Sequence, residues 1–362
     1  MKNRHQTKIL VLSLILICMS IQPKAFGQSL ESSIDSVLMK KYVSSSPGAV
    51  VLVSKKGKPV YQKAFGLSNL ESKTPMVTNN VFQLGSITKQ FTAMAILMLV
   101  QDKKLDLHDT LNKFLPDYPD GKSITIHHLL THTSGIRDFT KIKGLNDIAT
   151  EELSAKELVD FFKDGPKDFP PGEKFEYCNA GYMLLGYIIE LVSGKSYGDF
   201  VKENIFDRLK MDNSYYASHQ KIIPDRAWGY DQKDSTYVNT RYISFSIPYA
   251  AGSLMSTVDD MLKWQEALNN NVLINEELTK KAFTNHTLNN GEQIEYGYGW
   301  HIKSLDGALS HEHGGSIFGF KSMGVYLPGQ DVYVLALTNC GCNSPTEITR
   351  EIATMALEYF RK

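Results

Sequence analysis

Phe82-Gln83-Leu84-Gly85-Ser86-Ile87-Thr88-Lys89 runs without a break into Phe91, Ala93, Met94, Ala95, Ile96, Leu97, Met98, Leu99 and Val100. The second stretch is apolar on every face of a helix, so the spacing predicts a helix buried all round. Ser86 and Lys89 stand three apart, close to one helical turn, and so share a face of it. A serine hydroxyl is a poor nucleophile until a neighbour takes its proton. A lysine can take it once desolvation lowers its pKa. At the helix N-terminus, amide donors and the dipole favour a developing negative charge on Ser86.

Working outward, Ala49–Ser54 and Pro59–Gly66 read as two strands joined by a turn at Lys55-Lys56-Gly57-Lys58. Strand patterning returns at Gly324–Leu327 and Val332–Leu337, separated by Pro328-Gly329-Gln330-Asp331. A helix over about 345–359 closes the chain. The centre is mostly helical, with capping signals at Ser154-x-x-Glu157 and Thr257-x-x-Asp260 and a stop at Gly194 for a helix starting near Asn179. Strands at both ends around a helical centre imply an α/β (α+β) chain. An antiparallel sheet flanked by helices carries an inserted, mostly helical lobe. The sheet lobe is expected at about 28–80 and 290–362, and the helical lobe at about 81–289. The irregular, aromatic stretch from about Tyr215 to Ala250 suits the wall of a binding site.

The N-terminus reads as an export signal. Lys2, Arg4 and Lys8 precede an apolar run from Ile9 to Ile21, and Ala25-Phe26-Gly27 supplies small residues for cleavage ahead of Gln28. That gives a signal peptide over 1–27, a catalytic chain over 28–362, and a periplasmic or secreted location. The alternative is an uncleaved anchor, against which the apolar run is short. Once the signal is removed, no stable membrane span is expected. The whole chain has 39 basic and 39 acidic residues. All four charged residues before Gln28 are basic, so the remainder is mildly acidic, which argues against nucleic acid as a partner. The expected partner is a small-molecule or cell-wall peptide substrate. Cys178, Cys340 and Cys342 are odd in number beyond the signal. One glycine separates the last two, a span that strains a disulfide, so no disulfide framework is expected.

Two further elements carry chemistry. In Pro171–Tyr182, a Pro-Gly turn leads to Tyr177-Cys178-Asn179 and an apolar helix. Tyr177 and Asn179 are two apart and project the same way from an extended or turn segment. A tyrosine near cations can pass a proton, and an asparagine can donate to and accept from an acyl-amide group. The other element is His313-Gly314-Gly315-Ser316, expected just before a strand. Its glycines let a substrate lie against the backbone, and the amide that follows is a candidate oxyanion donor together with that of Ser86. Each motif has a copy elsewhere. Ser218-His219-Gln220-Lys221 opens no apolar helix, and Tyr237-Val238-Asn239 lies in a polar stretch.

Ser-x-x-Lys, then Tyr-x-Asn, then [Lys/His]-x-Gly, in that order, resembles the serine β-lactamase and penicillin-binding-protein superfamily. The Tyr-x-Asn form is similar to the class C enzymes, D-aminopeptidases, D,D-carboxypeptidases and related esterases. Leu129-Leu130-Thr131-His132-Thr133-Ser134-Gly135 and Ala251-Gly252-Ser253-Leu254-Met255-Ser256-Thr257 resemble family phrases as well.

The resemblance implies an acyl-enzyme hydrolase of esters or amides, with no cofactor and no metal. Ser86 would be acylated, Lys89 would take its proton, and Tyr177 would protonate the leaving group. Asn179 would orient the substrate amide, and the Ser86 and Ser316 amides would form the oxyanion hole. His313 stands where many relatives have lysine. A histidine of ordinary pKa there would change charge near neutrality and tune Tyr177 and Lys89, favouring uncharged esters and amides over carboxylate-bearing β-lactams. Ser86, Tyr177 and His313 should converge between the lobes. Two other readings share the sequence. One is a zinc hydrolase built on His127, His128 and His132, which lacks the glutamate of H-E-x-x-H. The other is a binding protein with an inactive site.

Overall fold

The computed structural model describes residues 29–361. The proposed signal peptide lies outside the described residues. No helix among these is long and apolar enough to cross a membrane.

In chain order, the elements that position the site begin with helix α1 (Leu30–Lys41), strand β1 (Ala49–Lys55) and strand β2 (Lys58–Phe65). Helices α2 (Thr88–Gln101), α3 (Asn179–Ser193) and α4 (Val258–Asn269) follow. Strands β3 (His301–Leu305), β4 (Ala308–Ile317), β5 (Phe320–Leu327) and β6 (Val332–Thr338) precede helix α5 (Thr346–Phe360). The six strands form one sheet in the order β3-β4-β5-β6-β1-β2. Every pairing is antiparallel, and β1 joins the two ends of the chain by pairing with β6 from Ala49↔Thr338 to Lys55↔Val332. The hairpin from β1 to β2 turns through Lys56 and Gly57, both at positive φ, which suits a two-residue connection following the strand twist.

Both faces of this sheet are covered, which is why β1 and β6 read as continuous apolar runs. Ala49, Val51 and Val53 pack with Val334 and Ala336 beneath α1 and α5. Val50 and Leu52 join Leu335 and Leu337 on the other face, in the large core that also holds α2, α3 and α4. Helix α1 buries Leu30, Ile34 and Leu38, one stripe at four-residue spacing. Helix α2 buries every residue from Thr88 to Leu99. It is the central rod of the helical region, with Phe91 stacked on Trp264 of α4 at 4.0 Å.

The local signals hold closely. Helix α3 starts at Asn179 and stops at Gly194 in the left-handed region. Ser154 and Glu157 form a reciprocal capping box, and Thr257 caps α4 through the Asp260 amide. Two expectations need correction. His313-Gly314-Gly315-Ser316 does not precede a strand; it lies inside β4, paired to Gly324, Met323, Ser322 and Lys321. Inside the strand, the two glycines let it approach another backbone. A Cβ on Gly315 would stand 2.0 Å from the Leu84 carbonyl oxygen. The second correction concerns Cys340 and Cys342, which form a disulfide, because the Cys340-Gly341-Cys342 turn after β6 brings the sulfurs together. Cys178 is the remaining thiol among the described residues, and it is buried.

Candidate active site

Ser86 sits in a single 3₁₀ turn, Gly85–Ile87, at the entrance to α2. Gly85 holds φ of +56°, and Ser316 N would lie 2.8 Å from a Cβ placed there. Both the left-handed backbone and the lack of room require glycine at this position. The turn is pressed against β4, so Ser86 and the Ser316 backbone face one cleft.

One turn along, Lys89 is wholly buried. Its Nζ contacts Ser86 Oγ at 3.3 Å, Asn179 Oδ1 at 2.8 Å and the Ala251 carbonyl at 2.9 Å. It also lies over the rings of Tyr177, 4.9 Å from the centroid, and Tyr182, at 5.6 Å. Burial pulls its pKa down to about 7, against an opposing pull from Asp138 and Cys178. A large share of neutral amine is thus available near neutral pH, in contact with the serine hydroxyl.

Asn179 opens α3 and is held from behind by Asp138. The Asp138 carboxylate accepts from the Asn179 backbone N–H, and from its side-chain NH2 at 3.1 Å. Because Oδ1 is committed to Lys89, what Asn179 offers a substrate is its second N–H. The Tyr177 ring is half-buried, but its hydroxyl oxygen is fully buried and lacks a hydrogen-bond partner. Burial raises its pKa, with Ser86 close enough to oppose the shift. The phenol therefore rests protonated, a donor without an acceptor, which suits a group waiting for a substrate atom.

His313 is buried in β4 and differs from the sequence expectation. Its Nδ1 donates to the Gly314 carbonyl at 2.6 Å, and its Nε2 meets Tyr296 OH at 3.2 Å. Tyr296 OH also meets His132 Nε2 at 3.2 Å, while His132 Nδ1 accepts from the Cys178 N–H at 3.1 Å. These contacts fix both tautomers. His132 must carry its proton on Nε2 and give it to Tyr296, which then donates to His313 Nε2. Burial, helped by His301 and Lys89, holds the His313 pKa well below the usual histidine value. His313 therefore does not change charge near neutrality. It is a neutral, tethered wall of the site, because burial outweighs anything that would stabilise the imidazolium there.

Ser86, Lys89, Tyr177, Asn179, His313, Gly314, Gly315 and Ser316 thus converge. Ser86 opens into two adjoining cavities of about 350 Å³ each. One is largely apolar, with Phe139, Leu145, Met183, Ile243, Ile247 and Phe318 in its wall. The other is polar, with Tyr177, His301, His313 and Lys321. Ile243 and Ile247 come from the irregular stretch expected to form part of a site. The copies of the motifs lie elsewhere: Ser218 Oγ accepts from the Gln220 and Lys221 amides, and Tyr237 and Asn239 sit on an exposed hairpin. Of the zinc candidates, His127 bonds Tyr298 and His128 caps its own short helix, while His132 packs on Tyr177 with ring centroids 4.3 Å apart.

Sequence reasoning missed Asp138, Tyr296, His301 and Lys321. Asp138 follows the Leu129–Gly135 phrase by three residues, which is a proximity signal only. Tyr296 is one of 18 tyrosines.

A family model described as Beta-lactamase matches residues 38–354. Penicillin-binding protein 4* of Bacillus subtilis (strain 168) is 32% identical over 289 residues, covering 75% of this chain and 64% of its own length. The human mitochondrial serine beta-lactamase-like protein is 29% identical over 314 residues, covering 68% of this chain and 57% of itself. The chain therefore spans less than two thirds of the length of these relatives. Among solved structures, the octameric penicillin-binding protein homologue from Pyrococcus abyssi is 31% identical with a TM-score of 0.78, covering 91% of this chain and 77% of that one. D-amino acid amidase from Ochrobactrum anthropi SV3 superposes with a TM-score of 0.80 at 23% identity over 92% of this chain and 100% of its own, a likeness of fold.

Proposed function

The chain belongs to the beta-lactamase family, and from that premise we propose that it is a serine hydrolase that opens ester or amide bonds through an acyl-enzyme on Ser86. The observation that carries this reading is the buried Lys89 amine, lowered to about 7 and in contact with Ser86 Oγ.

Neutral Lys89 takes the Ser86 proton as Oγ attacks the substrate carbonyl. The Ser86 and Ser316 amides receive the oxyanion, and the free Asn179 N–H steadies the acyl side. Tyr177 gives its proton to the departing oxygen or nitrogen and regains one from the Lys89 ammonium beside it. Water, entering where the leaving group stood, repeats the cycle in reverse and frees Ser86. The apolar cavity suits a bulky apolar acyl side chain, and the name of the structural neighbour, D-amino acid amidase, makes D-amino acid amides one substrate class to try. On the basic-apolar start of the chain, we place the activity outside the cytoplasm.

The test is labelling with an uncharged fluorophosphonate, followed by peptide mass spectrometry. A single adduct on Ser86 is expected, lost in Ser86→Ala and retained in Ser218→Ala. A folded chain that takes no label at Ser86 would overturn the reading and leave the inactive binding protein in its place.

A further inference from the structure

We propose that His132 is the positioning residue that aims the Tyr177 phenol at the leaving group, so that this site expels poor leaving groups as well as good ones. The proposal rests on the acyl-enzyme reading above, in which Tyr177 supplies the leaving group's proton, and adds what holds that donor in place.

The segment that carries Tyr177 reaches the site as irregular chain, and α3 begins only at Asn179. Asp138 holds the Asn179 end. The Tyr177 side chain has no such tie of its own, because its hydroxyl oxygen finds no hydrogen-bond partner. Where the phenol points is therefore decided by the backbone on either side and by what its ring rests on. His132 supplies all three. Its carbonyl accepts from the Glu176 N–H at 3.0 Å and its Nδ1 from the Cys178 N–H at 3.1 Å, one amide on each side of Tyr177. Its imidazole lies on the Tyr177 ring, with centroids 4.3 Å apart and planes inclined by 34°.

Two features separate this residue from a histidine that only fills the core. His132 is buried with φ of +59°. That left-handed conformation is uncommon outside glycine, and it persists where the surroundings enforce it, often at functional sites. The turn presents a backbone acceptor and a side-chain acceptor of one residue to the same short segment. The second feature is that the rest of its loop acts in the same way. The Thr133 carbonyl accepts from the Gly172 N–H and the Gly135 carbonyl from the Asp168 N–H, both at 2.8 Å. The loop from His132 to Gly135 is thus a template along which the chain from Asp168 to Cys178 is laid. Burial, helped by Lys89, His313 and His301, holds the His132 pKa well below the usual histidine value, so Nδ1 stays an acceptor. The other nitrogen, Nε2, is spent on Tyr296. The two nitrogens have separate partners, and substitution can separate them. A proton donor must lie within hydrogen-bond reach of the departing atom, and misplacement by about 1 Å costs about a hundredfold.

The experiment measures Ser86 labelling of the full chain by two phosphonate esters that share one alkyl group. One releases 4-nitrophenoxide, which departs readily without a proton, and the other releases phenoxide, which needs one. The native protein should take label from both. His132→Asn keeps an acceptor where Nδ1 stood, and asparagine also tolerates left-handed backbone, so it should keep most of the phenyl-to-nitrophenyl rate ratio. His132→Gln moves the acceptor out toward the place of Nε2 and should lower the ratio by about a hundredfold. Tyr177→Phe should lower it as far, and His132→Gln added to Tyr177→Phe should lower it no further, as expected of two residues acting through one proton donor. A histidine that only fills the core would change urea stability and leave the ratio alone in both His132 variants. That outcome overturns the proposal, as does a ratio that falls as far in His132→Asn as in His132→Gln. If circular dichroism shows that His132→Gln does not fold, Tyr177→Phe decides, because an unchanged ratio there leaves no proton delivery for His132 to serve. The two readings fail separately. Native labelling at Ser86 supports the acyl-enzyme reading, and if it occurs while the ratio ignores His132, only His132 was misassigned.

Discussion

Asp138→Asn removes one negative charge behind the site and keeps the side-chain shape. Asp138 accepts from Asn179, and Asn179 Oδ1 takes Lys89 Nζ at 2.8 Å. Two hydrogen bonds and one amide group therefore separate the carboxylate from the amine, roughly 7 Å. Two unit charges at about that distance interact by about 2.4 kcal/mol at an effective dielectric of about 20, which corresponds to between one and two pKa units. The sign follows from the environment. Burial lowers the Lys89 pKa to about 7 and Asp138 raises it, so loss of the carboxylate lowers it further. The reactive form is the neutral amine. In the native protein about a tenth of Lys89 is neutral at pH 6. With a pKa of about 5.5, about three quarters would be.

The assay is the rate of labelling by an uncharged fluorophosphonate from about pH 5 to about pH 9, read as a fraction of its own plateau. The acid limb should sit near pH 7 in the native protein and move down by one to two units in Asp138→Asn, whatever happens to the plateau. A limb that stays in place or moves upward would refute Lys89 as the base that this charge governs.

Gly315→Ala puts a methyl 2.0 Å from the Leu84 carbonyl oxygen and 2.2 Å from Ser322 Oγ, so β4 must move off the Ser86 turn; labelling of Ser86 should fall by at least about a hundredfold, checked in a protein whose circular dichroism is unchanged. Tyr296→Phe leaves the His132 and His313 Nε2 atoms without their shared partner and should cost about 1–3 kcal/mol of stability in urea unfolding. His313 should then stay neutral across the labelling profile, because its burial is untouched; an acid limb that moved with this substitution would show that the histidine chain sets the protonation of Lys89.

Much of this protein could be read in its sequence, because the relevant physics is local. Helical periodicity brings Ser86 and Lys89 to one face, and the apolar residues after them require a buried helix, hence a desolvated lysine. Gly194 and the Ser154–Glu157 pair mark helix ends by backbone chemistry that operates over a few residues. Apolar runs and the turns between them specify β1, β2 and β6. What the sequence left open is settled by contacts between distant segments. Asp138 reaches Asn179 across 41 residues, and no pattern in a polar loop announces it. Cys340 and Cys342 pair because of the path the chain takes after β6, which spacing alone does not reveal. The charge of His313 follows from burial between Tyr296 and Tyr177 and not from its identity, since the cost of placing a cation away from water exceeds what its neighbours return. The place of Lys321 beside Ser316 is a matter of strand register: shifting β5 by one residue would turn that side chain to the opposite face of the sheet.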